Sequence, residues 1–108
     1  SDHEWKIIRQ HPIAGAGILQ TDNVPEDIIA GIRTHHERWN GKGYPYGLAG
    51  ENIPLAGRII AMADALDAMT SARPYRRRPL SVDEAVGEIQ SLSGRQFDPY
   101  IVQSALKR

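Results

Sequence analysis

The sequence contains no cysteine, which excludes disulfides and thiolate metal ligands and leaves His, Asp and Glu to hold any ion. It has no excess of either charge. The 13 Lys and Arg are matched by 13 Asp and Glu, so broad attraction to DNA or another polyanion is not expected and any anion site must be local. No apolar stretch approaches the roughly 20 residues of a membrane span, and the amino terminus has neither the basic nor the apolar region of a secretory signal. No run alternates convincingly with the period of a strand, and there is no internal repeat or low-complexity segment. Together these absences fit a soluble domain working in a reducing cytoplasm.

Hydrophobic residues make up 41% of the chain and charged residues 24%, close to globular averages and therefore against disorder. Its 108 residues give room for one domain and little more, since single domains cluster near about 100 to 150 residues. The chain opens on Ser1 rather than Met and enters a helical pattern almost at once. It is therefore expected to be a piece of something longer.

Five segments carry helical spacing, which predicts an all-α fold. The first, from about His3 to Leu19, contains Pro12, which removes a backbone donor and should kink or divide it, placing His11 at a bend. Pro25 suits the first turn of a second helix, whose Ile28, Ile29, Ile32, His35 and His36 share a broad stripe, so the histidines continue an apolar face. From Arg38 to Ile53, four glycines and Pro45 predict a long structured loop. Pro54 opens a third helix through Leu55, Ile59, Met62, Leu66 and Met69. A basic connector holding Arg73, Arg76, Arg77 and Arg78 follows. Ser81 with Glu84 forms a capping-box pattern for a fourth helix, ended by Gly94, and Asp98-Pro99 supplies a cap and first-turn proline for the fifth.

The adjacent His35 and His36 look like part of a metal site. At a helix end their side chains should diverge by about 100° around the axis, each serving a different ion or a different side of one cluster. Asp64 has Ile60, Ala61, Asp67 and Ala68 as its helical neighbours and no Lys or Arg within a turn, an apolar setting in which a carboxylate is normally paired or bound to metal. The competing reading is a surface acid, or one bonded to a hydroxyl such as Thr70 or Ser71. His11, the histidine pair and Asp64 offer nitrogen and oxygen ligands, which suit Fe, Mn or Zn.

Three motifs stand in order: His11-Pro12-x-x-Gly15, His35-His36-Glu37-x-x-Asn40-Gly41-x-Gly43-Tyr44-Pro45, and Ala63-Asp64-x-x-Asp67-Ala68, followed by Arg73-Pro74-Tyr75-Arg76. This combination resembles the HD-GYP family of bacterial cyclic di-GMP phosphodiesterases over nearly the whole chain. The resemblance implies that His11, His35, His36 and Asp64 ligate a cluster of two or three divalent metal ions, iron or manganese. It implies that Tyr44, Arg73 and Arg76 hold substrate phosphates; the planar guanidinium fork suits that task because it can grip two phosphate oxygens. Arg77 and Arg78 read as solvated. Glu37 and Asp67 are placed behind the ligands, orienting histidines or binding nearby backbone, with surface acids as the competing reading.

Two departures bear on this expectation. Asn40 stands where the family commonly has Asp, although Asn-Gly still makes a tight turn. The His-Asp pair that names the family, its neighbouring lysine and the earlier Glu and His ligands should precede this chain, so half of the metal cage is missing. Residues 1–108 therefore read as the C-terminal portion of a single HD-GYP domain, inactive by itself and without a full metal complement. Its upstream half, a sensory or receiver domain and cyclic di-GMP are the expected partners. The apolar stripe left uncovered around Ile28 and Ile32 is expected to promote self-association.

The parent is expected to cleave cyclic di-GMP to linear pGpG, with GMP as a further product, in bacterial second-messenger signalling. A competing function is a noncatalytic module whose Gly-Tyr-Pro loop contacts a diguanylate cyclase domain. A nucleotide hydrolase from elsewhere in the HD superfamily is a further alternative, against which Gly43-Tyr44-Pro45 argues.

Overall fold

The computed structural model describes residues 25–72 and 78–106. The chain is all-helical, with four α-helices among these residues: α1 (Glu26–Thr34), α2 (Leu55–Thr70), α3 (Val82–Ser91) and α4 (Pro99–Ala105). A single 3₁₀ turn at Gly50–Asn52 closes the long loop between α1 and α2. Among the described residues there is no strand, and a backbone bridge joins Ser93 to Phe97. The expected first helix, with His11 and Pro12, lies outside the described residues, as do Arg73, Arg76 and Arg77 of the basic connector.

The helix starts follow from local chemistry. Pro25 precedes α1, and Glu26 and Asp27 put negative charge on its first turn, where the exposed backbone N–H groups favour it. Ser81 and Glu84 form the reciprocal capping box at α3. At α4 the Asp98 carboxylate accepts from Tyr100 N at 2.8 Å, and Pro99 fills the first helical position. α3 stops at Ser91, short of Gly94. The glycine instead takes a positive φ of 78° in the following turn, where its N–H donates to Phe97 O.

α2 is the central helix and touches the other three. Against α1 the approach depends on small residues. A Cβ on Gly31 would stand 2.7 Å from Ile60 Cδ1 and 3.0 Å from Ala56 Cβ, and one on Gly57 would collide with the Thr34 side chain. Thr34, buried there, spends its hydroxyl on Ala30 O at 2.6 Å. On its other side α2 contributes Met62 to a core completed by Ile89, Phe97 and Val102, with Leu66, Met69, Leu92 and Ile101 packed around them. Arg58 ties the two sides together: its Nε donates to Ile53 O at 2.9 Å, and its Nη1 pairs with the buried Asp98 at 2.8 Å. Ile28, Leu55, Ile59 and Tyr100 stay exposed. No helix among the described residues is long and apolar enough to cross a membrane.

Candidate functional site

The close α1–α2 crossing carries the end of α1 over the middle of α2. A cleft of about 190 Å³ opens at that point, walled by His35, His36, Glu37 and Arg38 from the end of α1 and by Ala61, Asp64 and Ala65 from α2, with Tyr44 and Gln96 completing it. The structure thus brings together five residues singled out from the sequence: His35, His36, Glu37, Tyr44 and Asp64. His11, Arg73 and Arg76 lie outside the described residues.

The two histidines are not on a helix face, contrary to the stripe read from sequence. α1 ends at Thr34, and His35 is its C-cap, with φ −71° and ψ −11°. Because the chain leaves the helix there, the rings do not diverge; their centroids are 4.1 Å apart and their planes tilt by 39°. His35 Nδ1 lies 2.6 Å from Ile32 O. A carbonyl oxygen can only accept, so Nδ1 carries the hydrogen, and in the neutral ring the Nε2 lone pair is available. A backbone carbonyl on one ring nitrogen is the support that metal-ligating histidines commonly have, and it leaves the other nitrogen facing away from that bond.

Asp64 does not occupy the apolar setting inferred from its helical neighbours. It is exposed at the cleft, and it is not among the α2 residues packed into the core with α3 and α4. The hydroxyls considered as its partners are engaged elsewhere, Thr70 with Leu66 O at 2.7 Å and Ser71 with Asp67 Oδ1 at 3.2 Å. Asp67 is exposed at the end of α2, where its carbonyl also accepts Ser71 N. Among the described residues, no three His, Asp or Glu side chains converge closely enough to hold an ion unaided. The donor types and the His35 tautomer suit a divalent metal, while the described cage is incomplete.

Glu37 is only 3% exposed and is the most committed polar group at the site. One carboxylate oxygen accepts Tyr46 N at 2.8 Å and the other accepts Leu48 N at 2.9 Å. It therefore grips the Gly-Tyr-Pro loop as that loop returns over the end of α1. Tyr44 N donates to His36 O at 3.2 Å, and the Tyr44 ring stacks on His36 with centroids 5.0 Å apart and planes 17° from parallel. Gly43 makes this crossing possible, since a Cβ there would stand 2.5 Å from both Arg38 N and His36 O. Asn40 retains the turn expected of Asn-Gly: its Oδ1 accepts Lys42 N at 3.0 Å, and Gly41 adopts a φ of 81°.

Gln96 and Arg38 were not anticipated. Gln96 reaches the cleft because Trp39 N donates to its carbonyl at 3.1 Å and Asn40 N donates to Arg95 O at 2.8 Å, pinning the turn after α3 to the start of the loop. No local motif signals such a pairing between distant segments. Arg38 had a weaker cue in its place next to the His-His-Glu run.

The sequence matches the HD domain family over residues 1–101. It is 47% identical to a cyclic di-GMP phosphodiesterase of Thermotoga maritima over 96% of this chain and 28% of that protein. It is 39% identical to a cyclic di-GMP phosphodiesterase response regulator of Xanthomonas campestris over 99% of this chain and 29% of that protein. A 3'3'-cGAMP-specific phosphodiesterase of Vibrio cholerae is 38% identical over 96% of this chain and 20% of its own length. Among solved structures, a cyclic GMP-AMP-specific phosphodiesterase of V. cholerae superposes with a TM-score of 0.83 at 31% identity, covering 99% of this chain and 24% of that one. The chain thus spans less than a third of the length of the relatives it matches. The match over most of its length, with the His-His-Glu and Gly-Tyr-Pro segments meeting at one cleft, establishes that the chain belongs to the HD domain family, in its HD-GYP branch.

Proposed function

We propose that residues 1–108 are the C-terminal part of a single HD-GYP domain that hydrolyses cyclic di-GMP to linear pGpG and onward to GMP in bacterial signalling. The observation that carries this reading is the convergence of His35, His36, Asp64 and Tyr44 on one cleft. The names of the 47% and 39% identical relatives supply the substrate. His35, His36 and Asp64 would hold two or three divalent ions, iron or manganese, together with His11 and ligands from the upstream half of the domain. Such ions would supply charge neutralisation at the phosphodiester and activation of water for in-line attack. This chain's own part is to present His35 Nε2 in the correct tautomer, to close the cleft with the Gly-Tyr-Pro loop, and to meet the phosphates with Tyr44, Arg73 and Arg76.

Two measurements on the complete domain test this. Turnover of cyclic di-GMP with iron or manganese is expected, and a folded domain inactive with both metals overturns the enzymatic assignment. Elemental analysis should show metal content falling in His35→Ala; unchanged content removes His35 from the ligand set. The fragment alone is expected to show negligible turnover.

A second reading, a noncatalytic module that contacts a diguanylate cyclase domain, draws support from Tyr46, which is 51% exposed on the loop. It predicts binding that Tyr46→Ala abolishes while metal has no effect. Self-association through exposed Ile28 and half-buried Ile32 is expected of the isolated chain; strictly monomeric light scattering at high concentration argues against it.

A further inference from the structure

We infer that Glu37 is a positioning residue that sets the Tyr44 ring against His36, acting through the loop backbone and not on the substrate or a metal. The inference rests on the reading of this cleft as a phosphodiester site, which it deepens. Both oxygens of the Glu37 carboxylate are used on backbone donors, Tyr46 N at 2.8 Å and Leu48 N at 2.9 Å. At 3% exposure the carboxylate has no water shell to compete with them, so each is a charge-assisted bond in a low-dielectric setting. The two donors flank Gly47, which turns with a φ of 73°, and they lie just beyond Tyr44-Pro45.

The loop is therefore fixed at both ends of its return. Tyr44 N is bonded to His36 O, and Tyr46 and Leu48 are bonded to the next residue in the chain, Glu37. With the backbone on either side of Pro45 held, the Tyr44 ring is left stacked on His36. The side chain that fixes the loop and the imidazole that receives the stack are thus consecutive residues. Replacing one carboxylate oxygen leaves a part-buried loop N–H without its acceptor, which costs more than the loss of an exposed hydrogen bond. Glutamine is isosteric but presents an NH₂ to one of the two N–H donors, so it can satisfy only one of them.

The test uses the full-length protein in metal-free form for spectroscopy and metal-loaded for kinetics. In spectra of histidine-labelled protein, the His36 ring protons should carry an aromatic ring-current shift that Tyr44→Ala removes. Glu37→Gln is expected to remove most of that shift while circular dichroism stays native. In turnover, Glu37→Gln should raise KM about tenfold, the equivalent of roughly 1.4 kcal/mol, with a smaller change in kcat, and should add nothing in a Tyr44→Ala background. A folded Glu37→Gln protein that keeps the shift overturns the inference, as does full additivity with Tyr44→Ala. Should Glu37→Gln not fold, amide exchange in the wild-type protein decides: Tyr46 and Leu48 must be protected, and exchange at open-loop rates refutes the clamp. If Tyr44→Ala leaves turnover unchanged, the substrate role of Tyr44 fails, while the spectra still report on Glu37.

Discussion

The two sides of α2 are held by different physics. Toward α3 and α4 the contact is a conventional apolar core, Met62, Ile89, Phe97 and Val102, which tolerates rearrangement because dispersion and burial are non-directional. Toward α1 and its loop the buried apolar side chains are Ile29 and Ile53, outside that cluster, and close backbone approach and polar bonds add to them. Gly31, Gly43 and Gly57 stand where a Cβ would meet neighbouring atoms, and the buried Glu37 and Thr34 spend their side-chain oxygens on backbone. The first side supplies stability and the second supplies placement. Hydrogen bonds and close approaches fix angles and distances in a way that burial cannot, and the cleft lies on that side.

This contrast can be broken from either direction. Phe97→Ala should have the largest effect, about 3 to 5 kcal/mol of stability lost on truncating a buried aromatic, read from urea melts; a loss below 1 kcal/mol would mean that the core is not where the free energy resides. Gly43→Ala should cost less, roughly 1 to 3 kcal/mol as for overpacking, yet it should lift the loop from the end of α1 and abolish the His36 ring-current shift that Phe97→Ala leaves in the folded population. Equal disturbance of His36 by both substitutions would erase the distinction between the two sides. Ser81→Ala removes one half of the α3 capping box and should cost about 1 kcal/mol, visible as a lowered melting temperature with the His36 signals unchanged.

The smallest effect is one of pH. The Ser81 backbone, then the Ser81 hydroxyl, then the Arg78 charge hold the Glu84 carboxyl below its ordinary value. A carboxyl depressed in the folded state binds its proton more readily in the unfolded chain. The contribution is therefore present above the unfolded value and disappears as pH falls through the folded one. Melting temperatures followed from about pH 6 down to about pH 3, a range spanning the carboxylate values, should show the advantage of wild type over Glu84→Gln shrinking with acid. An advantage that grows instead would reverse the assignment. Arg78 and Glu84 are both well exposed, at 74% and 46% of their side chains, so salt should weaken this component further.

Much of the fold was legible because its signals are local. Helix starts at Pro25, Pro54, Ser81 and Asp98 each depend on residues within one turn, and the structure places helices directly after all four. The lining of the cleft was legible in part, as His35, His36, Glu37, Tyr44 and Asp64, but its arrangement was not. Helical periodicity extended α1 through His36, whereas the chain leaves the helix at His35 and the rings close on each other. Neighbour counting put Asp64 in an enclosed apolar setting, whereas Asp64 is exposed although Ile60, Ala61 and Ala68 beside it are half-buried. Both misreadings assume an ideal helix and take no account of what packs on it.

The order of residues by itself determined the helical class, the capping chemistry and the gathering of imidazole, carboxylate and a glycine-rich loop within one short chain, since each is a property of near neighbours. Tertiary structure alone decided that Glu37 faces inward to hold Tyr46 and Leu48, that Tyr44 lies on His36, and that Gln96 reaches the same cleft. Those outcomes depend on how closely two helices can approach at Gly31 and Gly57 and on backbone bonds between distant segments, quantities that exist only once the chain has folded back on itself.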